Sequence, residues 1–247
     1  MLNRRILFSQ TKPADENSSY YKVAEKFDLD ISFVPFISPE AVEAREFRLQ
    51  KINILEHTAV LLTSRNTVDH FFRICQELRI PVPETMKYFC LTEVVANYLQ
   101  KYILPKKRKI FVGEKNLNDL FNQIRKHPED KYLIVCSQNR KIEIVEFFKG
   151  RNIEYTEATF FTITVNDLSH LNLKEFGIIV FFTPADVTSL FQNFPGYKQN
   201  KTMIACFGPA TISMAKQFGL TVNIEAPIAE ALSMIEAIEL YLNKTIR

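Results

Sequence analysis

A short, wholly apolar run, then a polar turn, then an amphipathic helix: this unit recurs along the chain, and Ala59 to Phe72, AVLLTSRNTVDHFF, is its clearest instance. Ala59 to Leu62 has the length and composition of a strand covered on both faces, while Val68, Phe71, Phe72 and Cys75 repeat at helical spacing. A chain built on that alternation is confined to a parallel sheet flanked by helices and joined by right-handed crossovers. Between strand and helix lies Thr63-Ser64-Arg65-Asn66. Asn66 suits the N-cap, and Asp69 three residues later suits the reciprocal bond of a capping box, which predicts a helix beginning at Asn66. Free backbone N–H groups and the Arg65 cation then face the C-terminal edge of the sheet, where open α/β folds bind anions. The expected ligand carries carboxylate or phosphate.

The same pattern orders the rest of the chain. Arg5 to Ser9 reads as a strand, Tyr20, Val23, Ala24 and Phe27 as a helical stripe, and Asp30 to Pro35 as a second strand. An extended piece from Pro35 to Pro39 and a charged helical stretch, Glu43 to Leu49, lead to the 59–64 strand. Helices are then predicted over 66–79, 93–103, 116–126 and 140–149, with strands over 87–91, 109–113 and 132–136 between them. Gly150 occupies a helix C-cap position. Residues 153–165, IEYTEATFFTITV, are long and β-branched, and read as a strand that runs out into a linker. Strands over 177–182, 202–207 and 220–225 alternate with helices over 184–194, 209–218 and 229–243. Two N-terminal strands plus these three balance the five of the middle segment. The economical architecture is a discontinuous α/β domain, 1–37 with 172–247, and an inserted α/β domain, 38–171, that includes the linker strands.

Composition excludes several classes. With 247 residues, 47% hydrophobic and 24% charged, the chain is an ordinary globular one, and a net charge of +3 is too weak for a nucleic-acid partner. The dense basic run Lys106 to Lys109 follows Pro105 and reads as a solvated loop. The four cysteines, Cys75, Cys90, Cys136 and Cys206, fall inside apolar patterns without metal-ligand spacing, so buried free thiols in a reducing compartment are expected. The apolar run near the N-terminus is too short for a signal peptide and no stretch reaches membrane length, which predicts a cytoplasmic protein with no membrane partner.

Familiar catalytic signatures are missing: there is no GxGxxG, P-loop, GxSxG or HExxH, and only six glycines. The four histidines, His57, His70, His127 and His170, are scattered and read as surface or partly buried structural groups. What does recur is a strand ending in a small or polar residue at a helix start: Thr63 to Asn66, Thr92-Glu93, Gly113 to Asn116, Ser137 to Arg140, Thr183-Pro184 and Gly208-Pro209. Most such turns only cap helices. Gathered at one cleft, they supply N–H donors, hydroxyls and a few cations suited to a large polyanion.

LLTSRNTVDHF resembles the T-S-x-N segment of the uroporphyrinogen-III synthase family, and IVFFTPADVTSLF resembles its second, F-T/S-S/P segment. ACFGPATISMAKQFGLTVNIEAP is similar to its G-P-x-T segment with the following G-L and acidic-Ala-Pro, and YFCLTEVVANYL stands where the family has a G-E-x-T-A turn. The four segments come in family order over nearly the whole chain. The resemblance implies two flavodoxin-like parallel-sheet domains, one inserted in the other and joined by a two-stranded linker, with the site in the interdomain cleft. It also implies a lyase that cyclises hydroxymethylbilane with inversion of the last pyrrole ring and loss of water in haem biosynthesis, with no metal and no cofactor. A monomer is expected. The matching positions imply that Thr63, Ser64, Arg65, Asn66, Thr92, Thr183, Pro184, Gly208 and Thr211 hold the substrate's carboxylates.

Departures accompany the match. Where the family carries a Tyr after the inserted segment, ATFFTIT places Phe161, or with a one-residue shift Phe160. Thr92 and Val95 replace the Gly and Thr of the G-E-x-T-A turn, Ala185 stands for a common Ser, and Ser9-Gln10 for a T-R pair. A catalytically weak paralogue that binds tetrapyrroles or a small anion is the alternative reading.

Overall fold

The computed structural model describes residues 3–15, 17–104, 109–113, 116–138 and 142–245. Most of the Lys106 to Lys109 run, the turn at Glu114-Lys115 and the predicted helix start at Arg140 lie outside the described residues. The order is β1 (Arg5–Phe8), α1 (Ser19–Phe27), β2 (Asp30–Phe33), β3 (Ile37–Ala41), α2 (Ala44–Leu49), β4 (Ala59–Leu62) and α3 (Arg65–Glu77). There follow β5 (Lys87–Cys90), α4 (Glu93–Leu99), β6 (Ile110–Val112), α5 (Leu117–Ile124), β7 (Tyr132–Ser137), α6 (Ile142–Lys149) and β8 (Tyr155–Val165). The remainder is β9 (Ile178–Phe181), α7 (Pro184–Asn193), β10 (Met203–Phe207), α8 (Pro209–Gln217), β11 (Val222–Ala226) and α9 (Met234–Thr245). The chain divides into two compact units, Met1–Ser38 with Thr164–Arg247, and Pro39–Ile163.

The first unit holds a five-stranded parallel sheet in the order β11-β10-β9-β1-β2. β9 is buried throughout, and its side chains alternate between two cores: Ile178 and Val180 pack with α1 and α9 residues, Ile179 and Phe181 with α7 and α8 residues. The chain order reverses between β1 and β9, which makes that junction the switch point where a doubly wound sheet opens a crevice.

The second unit has six strands in the order β3-β8-β7-β4-β5-β6. Its switch point lies between β4 and β7. β4 divides its four buried residues in the same way, Val60 and Leu62 to one face, Ala59 and Leu61 to the other. The sixth strand, β3, begins inside the Pro35 to Pro39 piece, predicted only as extended chain, and runs on to Ala41. It runs antiparallel to β8, since Val42 N–H donates to the Phe160 carbonyl at 3.1 Å while Asn166 N–H donates to that of Phe36 at 3.0 Å. Pro39 is tolerated there because β3 is the sheet edge, where a missing N–H costs no ladder bond.

Residues 164–171, predicted with the inserted segment, group instead with the first unit. Asn166 anchors them through its Nδ2, 2.7 Å from the Pro35 carbonyl, and fully buried Leu168 packs in the core with Phe36. Two helix ends also differ. α4 stops at Leu99, four residues before its predicted end, and α9 starts at Met234, five residues after its predicted start, whereas α6 ends at Lys149 and leaves Gly150 at the expected C-cap position.

Candidate functional site

The α3 start is built from Ser64 rather than Asn66. Ser64 is the N-cap, and its hydroxyl accepts from Thr67 N–H at 3.3 Å. Thr67, which is buried, returns the bond: its Oγ1 accepts from the N–H groups of Thr63 and Ser64, both at 3.1 Å, and donates to the Ser64 carbonyl at 2.7 Å. Asn66 is therefore a second-position residue with an exposed side chain, and Asp69 turns away to other partners. The first two helical N–H groups, of Arg65 and Asn66, have no intrahelical acceptor, and none serves them among the described residues. A pocket of about 90 Å³ opens beside them at the switch point, lined by Thr63, Ser64 and Thr67 from β4–α3, Cys136 and Ser137 from β7, and Phe161 from β8. Thr92 caps α4 after the neighbouring strand β5 without a side-chain bond, so its hydroxyl stays at the same sheet edge.

In the first unit Thr183 caps α7, with Pro184 at the first helical position. Here the reciprocal partner is a carboxylate. Asp186, 1% exposed, accepts from the N–H groups of Phe182 at 3.0 Å and Thr183 at 2.8 Å. Burial pushes its carboxyl above the usual range, opposed by the bonds from the Thr183 and Phe182 N–H groups. Gly208 caps α8 at φ 84°, a left-handed conformation that accounts for glycine there, and its N–H is spent on the Ala226 carbonyl. Thr211 is buried and donates to the Phe182 carbonyl at 3.3 Å, so it ties α8 to the end of β9 rather than presenting its hydroxyl. The nine predicted residues thus form two groups: Thr63 to Asn66 with Thr92 in one unit, and Thr183, Pro184, Gly208 and Thr211 in the other.

Other chemistry-bearing clusters stand apart from these edges. His127, Glu129 and Asp130 bring ligand atoms within 4.8 Å of one another at the opposite edge of the second sheet. Lys87 already supplies their positive charge, at 2.7 Å from Asp130 and 3.5 Å from Glu129, and Thr58 donates to Asp130 at 2.8 Å. Burial pushes the thiols of Cys75, Cys90 and Cys206 up to about 12, which keeps them protonated and unreactive. No described helix is long and apolar enough to cross a membrane.

A family model, uroporphyrinogen-III synthase HemD, matches residues 18–236. The chain belongs to the uroporphyrinogen-III synthase family. Two solved structures share its fold: a mutant uroporphyrinogen III synthase from the extremely thermophilic bacterium Thermus thermophilus, 15% identical with a TM-score of 0.62 over 97% of this chain and 99% of that one, and the synthetase from Helicobacter pylori, 15% identical with a TM-score of 0.61 over 99% and 100%. A comparison with curated sequences gave no match.

The two phenylalanines read against the uroporphyrinogen-III synthase family's Tyr position have different surroundings. Between Cys136 and Ser137 the β7–β8 register jumps from Thr159 to Phe161, a bulge that leaves Phe160 as the extra residue and turns two successive side chains to one face. Phe160 is wholly buried against Phe47 and Phe71, with ring centroids 4.8 and 5.9 Å away. Phe161 is the one that lines the pocket. Its ring stacks on His70, centroids 4.8 Å apart and planes at 16°. Burial, then the charge of Arg73, lowers the His70 pKa, with Asp69 opposing, and Arg73 Nε lies 3.4 Å from Nδ1. Both effects favour the neutral ring, with Nδ1 as the acceptor from Arg73. Sequence reasoning missed Thr67, Asp186 and His70 as parts of these edges. Ser64-x-x-Thr67 and Thr183-x-x-Asp186 carry a readable capping-box spacing, whereas nothing in the sequence pairs His70 with Phe161.

Proposed function

We propose that this chain is a synthase in the full sense: it takes linear hydroxymethylbilane, expels its hydroxyl as water, and closes the macrocycle with inversion of the last pyrrole ring, as a hydro-lyase using neither metal nor cofactor. Family membership supports the reaction class. The observation that carries the site is the α3 start, where the Arg65 and Asn66 N–H groups and the exposed Arg65 guanidinium are all without protein acceptors among the described residues. A helix N-terminus beside an unpaired guanidinium is a carboxylate site, and the bilane carries acetate and propionate groups on every ring. Thr63, Ser64 and Thr92 add hydroxyls at that edge, while Thr183, Pro184 and Gly208 form the corresponding edge of the other unit.

Much of the rate enhancement is then positional. The bilane cyclises unaided to the wrong isomer, so the protein's task is to hold one folded conformer in which the inverted ring is the reacting one, the kind of restriction that can be worth about 7–11 kcal/mol of barrier. Loss of hydroxide from an electron-rich pyrrole demands little acid assistance, which fits an apolar Phe161 at the pocket.

The test is product identity. Purified protein given freshly prepared hydroxymethylbilane yields the type III ring, resolved chromatographically from type I after oxidation. Type I alone, at the spontaneous rate, sinks the reading in favour of a binding protein. Arg65→Ala raises KM by roughly 10- to 150-fold, the scale of about 1.5–3 kcal/mol for a charged hydrogen bond.

A further inference from the structure

Asp69 follows Arg65 by one helical turn on α3, the spacing at which opposite charges meet across a helix face. They do not pair: among the described residues no ion pair includes Arg65. Asp69 is taken up elsewhere. Its two carboxylate oxygens accept from the Tyr98 hydroxyl at 3.0 and 2.9 Å, one of them accepts from the Tyr102 hydroxyl, and Lys101 Nζ stands 3.5 Å away. Partial burial works against it, but the Tyr102 and Tyr98 hydrogen bonds and then Lys101 hold this carboxyl below its ordinary range. The Tyr98 ring is in turn a platform: the Arg65 guanidinium lies over it, 5.4 Å from the centroid, and Lys101 Nζ lies 5.3 Å from the same ring. Tyr102 is itself stacked on Phe72, centroids 4.6 Å apart and planes at 4°, so its hydroxyl comes from a supported ring.

We infer that Tyr98 and Tyr102 are positioning residues for substrate binding, which by occupying the Asp69 carboxylate keep the Arg65 guanidinium free of an internal partner, and which through the Tyr98 ring hold it for a substrate carboxylate. This rests on the site proposed above. A hydroxyl saturates a carboxylate's lone pairs without bringing a charge, and Lys101 offsets the charge that remains. The five donors of Arg65 therefore stay available. Remove the hydroxyls while keeping the rings, and Asp69, still within reach on the same face, becomes a competitor for Arg65.

The experiment is a rescue series: wild type, Tyr98→Phe with Tyr102→Phe, that pair with Asp69→Asn added, Arg65→Ala, and Arg65→Ala with the Phe pair. Two readings are taken on each, KM and kcat for hydroxymethylbilane and the Kd of the fluorescent polycarboxylate uroporphyrin III, with circular dichroism melts to confirm folding. The Phe pair should raise KM and Kd about two- to fivefold, the weight of an exposed ion pair, with kcat unchanged. Adding Asp69→Asn should return both to wild-type values, because no carboxylate is left to capture Arg65, and in the Arg65→Ala background the Phe pair should have no further effect. A Phe pair that binds like wild type, a failure of Asp69→Asn to rescue, or an effect that persists without Arg65 overturns the inference. If wild type makes no type III ring, the proposed function falls while the uroporphyrin series still decides this point. An Arg65→Ala protein with unaltered uroporphyrin affinity ends both.

Discussion

Helices α3 and α7 begin alike and are fastened differently. Each follows a fully buried strand at its sheet's switch point, and each returns the N–H groups of the N-cap and of the residue before it to a buried side chain three residues on. In α3 that side chain is the Thr67 hydroxyl; in α7 it is the Asp186 carboxylate. A carboxylate makes bonds roughly twice as strong as a hydroxyl, but it must be desolvated and it cancels the positive end of its own helix. A hydroxyl fastens the turn without spending that potential. The second unit's edge, with a neutral box, no acid in the first turn of α3 and Arg65 beside it, is accordingly the edge proposed above to grip an anion. At α7 the acid in the first turn is already the helix's counter-ion.

Removing the fastening residues separates the two cases most strongly. Asp186→Ala strands two N–H groups that had a charged acceptor and should cost about 2–4 kcal/mol in urea unfolding, against about 1–3 kcal/mol for Thr67→Val. Equal losses would mean that the charge adds nothing. Moving the charge comes next: Thr67→Asp places a carboxylate under the turn proposed to bind an anion and should raise KM for hydroxymethylbilane about tenfold, close to 1.4 kcal/mol, whereas a KM that stays put would deny the neutral box its role. Phe161→Tyr, at the pocket beside Thr67, should change single-turnover formation of the type III ring by less than about tenfold; a gain of several hundredfold there, or in Phe160→Tyr, would show that a single acid rather than positioning limits the reaction. The smallest effect is on pH. Asp186 has its carboxyl raised in the folded state by burial, so the native protein binds that proton more tightly than the unfolded chain does. The cost of holding it ionised in the fold is therefore present at neutral pH and is relieved as pH falls through the raised value towards the ordinary carboxylate range. Wild type should gain stability on Asp186→Asn as pH falls from 7 into the ordinary carboxylate range. A gap that is flat with pH would place the titration elsewhere.

The sequence carried the strands and helices because each apolar run in a doubly wound sheet is buried on both faces and each helix keeps one apolar stripe, signals that survive without knowledge of neighbours. β3 escaped because Pro39 within it and Pro35 before it read as breakers, and only the sheet edge beside β8 makes Pro39 harmless. The α3 cap was displaced by two residues since Asp69 looked the better reciprocal partner; Tyr98 and Tyr102 claim that carboxylate from another helix. Family resemblance located the polar turns, yet whether a hydroxyl is offered or spent depends on burial: Thr211 and Thr92 read alike in sequence, and only Thr211 is committed, to the Phe182 carbonyl. The choice between Phe160 and Phe161 was open for a related reason, because a bulge has no local spelling.

That bulge gives β8 two frames. Up to Phe160 the even-numbered residues, Ala158 and Phe160, face the larger core of the second unit; beyond it the odd ones do, Phe161 and Ile163. Deleting one residue here would merge the frames into one plain alternation with Phe161 and Ile163 still facing the core, but it would slip the rest of β8 by one residue along β3 and carry Thr164 away from the Ser38 carbonyl that it bonds at 3.2 Å. The count of residues between β7's last partner and the crossing back to the first unit is therefore as constrained as their chemistry, and a single-residue gap at this point separates two strands of different geometry rather than two spellings of one.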